Sequence, residues 1–315
     1  MERLSSLSPQ ATPSRSAVLY LVDASVFIFR AYYSLPLEVT DPDGHPVNAV
    51  QGFARFLVEL LERSRPSHLA VAFDERLESS FRSEIYPAYK ANRDPAPPEL
   101  RRQFALCREL CRAFGVAEFA SSRYEADDII GTIAVRAQAG GMPVTIVSRD
   151  KDLTQLLTGS DVYWDAVADT RYEYGDIEDR FGVRPERIAD FLALTGDSVD
   201  NIPGVPGIGR KTAVQLLKHY DTLPGVFDNL ESIPKLKFRG ASFVAGSLRD
   251  HREAAFLSRR LTGIACDMPL EAEVDDLEPL VPDLAAVDRF CDAVGFGRML
   301  REQARRIAGG RPHGR

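Results

Sequence analysis

Three apolar, β-rich runs of the chain each end at an aspartate, and this repeated pattern constrains the fold more than any other feature. The runs are AVLYLVDAS at 17–25, HLAVAFDE at 68–75 and MPVTIVSRDKD at 142–152. Apolar residues at helical spacing lie between them, at 47–63, 98–114 and 125–139. Strands that alternate with helices predict an α/β fold, in which a mostly parallel sheet is covered on both faces.

The carboxyl ends of parallel strands meet at one edge of a sheet, where the ligands of such folds bind. The runs would therefore bring several acids to the same edge. YEADDII at 124–130 adds Glu125, Asp127 and Asp128 at the start of a helix that should begin there too. A capping box from Ser122 to Glu125 and the helix dipole account for one or two of these acids, but they leave the third unexplained.

Nine acids are candidates for this edge of the sheet, although each alone could equally form a turn or cap a helix. Carboxylates gathered in a crevice of low dielectric repel one another unless a cation neutralises them. Sites made of carboxylates favour Mg²⁺ or Mn²⁺, and two such ions form the usual clamp for phosphodiester hydrolysis. The candidate metal ligands are Asp23, Asp74, Glu125, Asp127, Asp128, Asp150, Asp152, Asp197 and Asp200.

The composition indicates a globular protein of one large or two modest domains. The chain has 315 residues, of which 44% are hydrophobic and 27% are charged, and its formal net charge is −7. This charge argues against a nucleic-acid partner, but neutralising the candidate acids would leave a small positive balance. No apolar run has the length of a membrane span, and the four cysteines lack zinc spacing, so we expect a cytoplasmic protein with reduced thiols.

Two segments outside the sheet have sequences typical of phosphate-binding sites. GVPGIGRKTA at 204–213 places Gly207 and Gly209 before a helix, where backbone N–H groups can approach a phosphate. It does not follow a strand, which disfavours a P-loop. FRSEIYPAYKANRDPAPPELRR at 81–102 interleaves cations and aromatic rings, as in proteins that bind single strands; a solvated loop explains it equally well.

Six stretches together resemble the 5′-nuclease family, which comprises the 5′→3′ exonuclease domain of bacterial DNA polymerase I and the flap endonucleases. The resemblance covers about residues 17 to 300. It is carried by LVDASVFIFRAYY, VAFD, FRSEIYPAYKANR, YEADDIIGTIA, SRDKDLTQLL and FLALTGDSVDNIPGVPGIGRKTAVQLL. One departure from the family pattern is Arg149, which stands beside Asp150 where polymerase-linked members usually have glycine.

The resemblance implies a PIN-like nuclease domain followed by a helical helix-hairpin-helix DNA-binding domain. The expected divisions are a disordered lead at 1–16, the nuclease domain at 17–175, a hairpin domain at 176–300 and a basic tail at 301–315. A helical arch is expected at about 80–102, within the nuclease domain. The short run DVYWD is expected to extend the sheet.

The resemblance also implies residue roles. One metal ion would be served by Asp23, Asp74, Glu125 and Asp127, and a second by Asp150, Asp152 and Asp197, with Asp127 or Asp128 near both and Asp200 in support. The expected catalytic residues are Lys90, Arg93, Asp127 and Asp128. The expected DNA contacts are Arg30, Arg82, Tyr89, Gly207, Gly209, Arg210, Lys211 and Thr212. A potassium ion is expected at the backbone carbonyls near Ile202, Val205 and Ile208.

The function implied is a divalent-metal-dependent 5′→3′ exonuclease and 5′-flap endonuclease of replication and repair. Its expected partner is DNA with 5′ ends, flaps or junctions, with RNA primers annealed to DNA as a further substrate. We expect a bacterial monomer that acts in the cytoplasm, at the nucleoid, and uses Mg²⁺ or Mn²⁺. Two alternatives stay open at this point: a branched-DNA-binding protein whose nuclease chemistry is vestigial, and a PIN-like ribonuclease.

Overall fold

The molecule is built on a six-stranded, mostly parallel sheet, seen in a computed structural model that describes residues 17–74 and 80–310. The strands, β1 to β6, are Leu19–Asp23, His68–Asp74, Ala117–Ser121, Val144–Val147, Val162–Asp165 and Thr170–Glu173. Their order in the sheet is β3-β2-β1-β4-β5-β6, and β6 alone runs antiparallel to its neighbour. The α/β fold with a mostly parallel sheet is confirmed, and the short strand expected at DVYWD is β5; β3 and β6 were not predicted.

The described residues contain thirteen α-helices, labelled α1 to α13. They are Ala24–Ser34, Asn48–Arg63, Phe81–Ile85, Pro98–Ala113, Ala126–Ala139, Tyr174–Phe181, Ile188–Thr195, Arg210–Tyr220, Leu223–Asp228, Ala241–Asp250, Arg252–Thr262, Leu284–Val294 and Arg298–Gly310. The helices predicted from periodicity correspond to α2, α4 and α5. In residues 17–74 and 80–310, none of the helices combines the length and apolar character that a membrane crossing requires.

The central strands are buried on both faces because their alternate side chains enter two different cores. Leu21 of β1 and Ile146 of β4 belong to the core formed with α5 and the helices that follow the sheet. Val22 and Val147, one position further along each strand, belong to the core formed with α1, α2 and α4. This two-residue alternation explains why both strands are continuously apolar in sequence.

The C-terminal helices α12 and α13 pack on helices of the nuclease domain. The expected division had instead placed a hairpin domain up to residue 300 and a basic tail from residue 301. α12 packs on α4, and α13 packs on α2. Leu300, Ala304 and Ile307 are buried at helical spacing along α13, and Arg306 forms an ion pair of 2.9 Å with Glu62 of α2. The tail expectation is therefore wrong for 301–310, because an apolar helical face is covered there. Residues 311–315, like the expected lead at 1–16, lie outside the described residues.

We expect α13 to contribute directly to stability. Leu300 is 7% exposed in the core shared with α2, whereas the adjacent Met299 is 74% exposed. Leu300→Ala should lower the free energy of unfolding by about 2–4 kcal/mol, because it leaves a cavity. Urea denaturation measures the effect, and Met299→Ala is the matched control, with an expected change below about 0.5 kcal/mol. Equal effects of the two variants would contradict this packing of α13.

Candidate active site

Four carboxylates meet at the carboxyl edge of the sheet. Asp23 ends β1, Asp74 ends β2, Asp150 follows β4, and Asp127 lies in the first turn of α5. Burial raises the pKa of Asp23 to about 7, and the negative charges of Asp74 and Asp150 add to the shift. The pKa of Asp127 is raised well above its usual value by burial and by Asp150 and Asp23. The structure therefore brings together acids that come from separate strands.

Serine hydroxyls and a helix start hold two of these acids in place. One oxygen of Asp23 accepts the Ser25 N–H at 3.0 Å, and the other accepts the Ser148 hydroxyl at 2.8 Å. Asp74 accepts the Ser25 hydroxyl at 2.6 Å and the Ala126 N–H, the first of α5, at 2.9 Å. The positive end of the α5 dipole thus offsets part of the charge of Asp74.

A second group of acids surrounds Lys151, which the sequence motifs did not single out although it lies between Asp150 and Asp152. The Lys151 ammonium is 2.7 Å from Asp197 and 3.5 Å from Oδ1 of Asp152. Burial favours the neutral form of Asp197, but Lys151 holds the pKa of that carboxyl below its usual value. Burial and the charge of Asp150 raise the pKa of Asp152 to about 7.

The arch segment places two basic residues, Lys90 and Arg93, against Glu125 and Asp200. The Lys90 ammonium lies 2.9 Å from Glu125 and 3.8 Å from Asp200, and Arg93 donates to Asp200 at 2.5 Å. The Lys90 N–H also donates to the Asp200 carbonyl at 3.0 Å, which helps to hold Lys90 at a left-handed φ of 54°. The expected arch contains only the short α3 and the start of α4 as helices. Between them, Ala88 and Asn92 form hydrogen bonds with the loop that carries Asp200.

Tyr89 and Arg82 were expected to contact DNA, but both side chains are buried in this structure. Tyr89 is 5% exposed, and its hydroxyl donates to Glu125 at 3.0 Å. Arg82 is 3% exposed, and two of its nitrogens donate to Asp128 at 2.8 and 2.7 Å. Neither side chain presents its polar group to a substrate in this conformation, because each is already bound to an acid inside the protein.

Asp128 was expected to be a metal ligand and catalytic residue, but in this structure its carboxylate is bound inside the protein. Asp128 is fully buried and bound to Arg82. It also completes the first turn of α5: the N-cap of this helix is Glu125, and not Ser122 as the capping motif predicts, and the Glu125 N–H donates to Asp128 at 3.0 Å. The third acid of the motif is thus neutralised by an arginine.

The hairpin residues lie at the start of α8. Gly209 is its N-cap, and Gly207 has a φ of 80° with the Phe243 ring against it. Lys211 and Arg210 are both exposed, and the Arg210 guanidinium lies over two phenylalanine rings. Thr212 follows in the first turn. Arg30 is exposed on α1.

The side chains at the expected potassium site, Ile202, Val205 and Ile208, are buried. Two of their carbonyl oxygens already accept backbone hydrogen bonds: that of Ile202 from the Asp197 N–H at 2.9 Å, and that of Val205 from the Ile208 N–H at 3.1 Å. A carbonyl oxygen has a second lone pair, so these bonds leave the expectation untested.

The donor chemistry of the acid cluster fits a hard divalent cation, although the acids do not close around one. Among residues 17–74 and 80–310, no group of three or more His, Cys, Asp or Glu side chains forms a ready ligand shell. Lys90 and Lys151 supply the positive charge instead. However, Oδ1 of Asp152 is buried and accepts no hydrogen bond, and the Lys151 ammonium 3.5 Å away offsets only part of the cost of burying it.

Comparison with known proteins gives the family. A family profile described as "5'-3' exonuclease, N-terminal resolvase-like domain" matches residues 18–182. A second, described as "5'-3' exonuclease, C-terminal SAM fold", matches residues 183–285. The chain belongs to the 5'-3' exonuclease family. The predicted family is therefore confirmed.

The chain is similar in sequence to bacterial DNA polymerases I. DNA polymerase I of Rhizobium leguminosarum is 43% identical over 266 residues, which cover 82% of this chain and 26% of the relative. DNA polymerase I of Bacillus caldotenax is 40% identical over 288 residues, which cover 90% of this chain and 32% of the relative. The chain thus spans about a quarter to a third of the length of these relatives.

Solved structures show the same fold at lower identity. T5 5'-exonuclease with bound zinc ions has a TM-score of 0.64 and 21% identity, and the match covers 93% of this chain and 98% of that one. The catalytic core of Rad2 in complex with a DNA substrate has a TM-score of 0.58 and 16% identity, and the match covers 95% of each chain.

We expect this 5'-3' exonuclease family member, in the absence of metal ions, to lose stability as the pH rises from 5 to 8. The pKa of Asp23 is about 7 in the folded state, against an ordinary value of 3.8. The folded state therefore binds more protons between these values, and the associated stability, complete below about pH 4, is lost as the pH rises through about 7. Asp23→Asn should reduce the loss by on the order of 2 kcal/mol.

Urea denaturation in chelator at both pH values measures this loss. Glu302→Gln is the control, because Glu302 is half-exposed on α13 and paired with Arg298. It should leave the pH dependence unchanged. The same pH dependence in the parent and in Asp23→Asn would contradict the raised pKa of Asp23 in the folded protein.

Proposed function

We propose that the chain is a divalent-metal-dependent 5′→3′ exonuclease and structure-specific 5′-flap endonuclease that hydrolyses DNA. The observation that carries this proposal is the meeting of strand-end acids with Lys90 of the arch segment at one edge of the sheet. Family membership supports the reaction type, and the bound zinc of T5 5'-exonuclease and the DNA of the Rad2 complex support the cofactor and substrate classes.

The acids divide into two candidate metal sites, for Mg²⁺ or Mn²⁺. The first would use Asp23, Asp74, Glu125 and Asp127, and the second would use Asp150, Asp152 and Asp197, with Asp200 in support. Divalent ions bound there would supply an activated water and stabilise the leaving oxygen. The buried Oδ1 of Asp152, which accepts no hydrogen bond, supports the second site.

Lys90 and Arg93 are proposed to hold the scissile phosphate. Burial alone would lower the pKa of Lys90, but Glu125 and the nearby acids raise it well above the usual value, so the side chain stays a cation. Arg93 is 46% exposed and can add a second contact. A phosphate bound here would share both cations with the carboxylates that hold them in the free protein.

The duplex is proposed to lie against the start of α8. Gly207, Gly209 and Thr212 offer backbone N–H groups, and Lys211 offers an exposed cation for a phosphate. The neighbouring carbonyl groups are the proposed potassium site, and Arg30 of α1 is a further proposed contact.

The proposed setting is DNA replication and repair. DNA with 5′ ends, flaps or junctions is the proposed partner, with RNA primers annealed to DNA as a further substrate. We place the protein as a monomer in the bacterial cytoplasm, at the nucleoid. Arg149, the departure from the family pattern, lies 3.5 Å from Asp165, an acid outside the candidate ligand set.

We expect the parent protein to cut a labelled 5′-flap duplex with Mg²⁺ but not with chelator. Asp127→Ala should lower the rate by at least about 1,000-fold, because it removes a carboxylate from the centre of the cluster. Asp250→Ala, at an exposed position in α10, is the control and should keep the parent rate. Cutting by Asp127→Ala at the parent rate would contradict the metal assignment.

The same assay separates the alternatives. Binding of the flap without cleavage, in Mg²⁺ and in Mn²⁺, would favour the vestigial, branched-DNA-binding protein. Faster cleavage of an RNA flap than of a DNA flap would favour the PIN-like ribonuclease.

We expect Lys90→Ala to lower kcat by about 100-fold or more while changing the affinity for flap DNA little, because its charge acts on the phosphate as negative charge develops there. Single-turnover cleavage and fluorescence anisotropy give the two quantities. Lys235→Ala is the control, at an exposed lysine outside the cluster. A loss of affinity as large as the loss of rate would show that Lys90 serves binding instead.

A further inference from the structure

Arg82 joins three separate parts of the chain behind the acid cluster. It lies in α3, at the base of the arch segment, and its guanidinium donates to Asp128 of α5. Its Nε donates to the Leu261 carbonyl of α11 at 2.9 Å, and one terminal nitrogen donates to the Gly263 carbonyl at 2.8 Å. The arch base, the start of α5 and the end of α11 are thus fixed relative to one another by one side chain.

The same pair fixes Glu125 through both its main chain and its side chain. Asp128 accepts the Glu125 N–H at 3.0 Å, and Arg82 lies 3.2 Å from the Glu125 carboxylate. The other oxygen of that carboxylate accepts the Lys90 ammonium at 2.9 Å. Glu125 therefore stands between the buried arginine and the proposed catalytic lysine, and Asp127 follows it in the same turn.

The contacts of Asp128 leave it no capacity for a metal ion. Oδ1 accepts from Arg82 at 2.7 Å and from the Ala265 N–H at 2.8 Å. Oδ2 accepts from Arg82 at 2.8 Å and from the Glu125 N–H at 3.0 Å. A carboxylate has about four lone-pair sites, and here all four are in use. Asp128 can therefore act on the site only through the groups that it holds.

We propose that Arg82, through Asp128, is a positioning residue that sets where Glu125 and Asp127 stand relative to Asp74 and Lys90. This proposal rests on the proposed function. Apolar side chains in place of a buried ion pair often leave stability unchanged or raised, so stability alone does not explain this pair. What a planar guanidinium adds is geometry, because it meets a carboxylate with two parallel hydrogen bonds while further N–H groups bind carbonyls.

Two conservative variants test the proposal. Arg82→Lys keeps the charge but loses the two-point contact, and Asp128→Asn keeps the size and an acceptor for the Glu125 N–H. We expect each variant to lower kcat and to raise the Mg²⁺ concentration for half-maximal rate, both by about 10- to 100-fold. The affinity for Mn²⁺, measured by calorimetry without DNA, should fall in parallel. The Kd for flap DNA in chelator should change less than about twofold.

The matched control is Arg123→Lys. Arg123 precedes α5 and pairs at 3.2 Å with Glu84 of α3, so it links the same two elements, but both side chains are more than half exposed. Arg123→Lys should leave the rate, the Mg²⁺ dependence and the DNA affinity unchanged. Circular dichroism melts of all variants identify any variant that unfolds at the assay temperature. If Arg82→Lys or Asp128→Asn unfolds there, the other of these two variants tests the proposal.

Three outcomes would overturn the proposal. If Arg82→Lys weakened DNA binding as much as it lowered kcat, Arg82 would be a DNA contact. If Asp128→Asn removed one bound Mn²⁺ per chain while Arg82→Lys did not, Asp128 would be a ligand. Unchanged metal dependence in both variants would leave the pair without a positioning role. If the parent protein failed to cut the flap, the proposed function would fail instead, and the Mn²⁺ affinities would still test the pair.

Discussion

Repulsion between carboxylates at the carboxyl edge of the sheet is the constraint on which the rest of this structure depends. A parallel sheet brings the ends of β1, β2 and β4 to one place, and the chain puts an acid at each of them. The cost of that arrangement is visible in Asp23 and Asp152, whose pKa values are raised to about 7 by burial first and then by the charges of neighbouring acids. Lys90 and Lys151 reduce it, because each ammonium lies within 3 Å of a carboxylate.

The acids of one short motif have different partners, and this divides them by role. Asp128 is enclosed with Arg82 and is a structural anion. Glu125 is shared by Arg82 and Lys90, so it links the interior with the open site. Asp127 faces the other acids, and its pKa is raised by burial and by their charge. The acids without a full set of protein partners are therefore the proposed metal ligands.

The arch segment and the loop at 197–202 form one unit, although they are far apart in sequence. Lys90 and Asn201 both have left-handed backbone conformations, with φ values of 54° and 56°. Such conformations cost about 1–3 kcal/mol at non-glycine residues and persist where surrounding contacts fix them. Here the contacts are the Lys90 N–H to the Asp200 carbonyl and the Asn201 amide to the Ala88 carbonyl. Lys90, the proposed phosphate-binding cation, is thus held in place by contacts with the loop at 197–202 of the helical domain.

The sequence by itself determined the parallel sheet, the acids at its edge, helices α2, α4 and α5, and the family, because each rests on local periodicity or on contiguous motifs. Only the tertiary structure decided that Asp128 is paired, that Tyr89 is buried and that α13 closes the nuclease core. Periodicity shows which face of a helix is covered but not which residue covers it. The carbonyl that anchors Arg82 lies 179 residues further along the chain, and no local pattern contains such a contact.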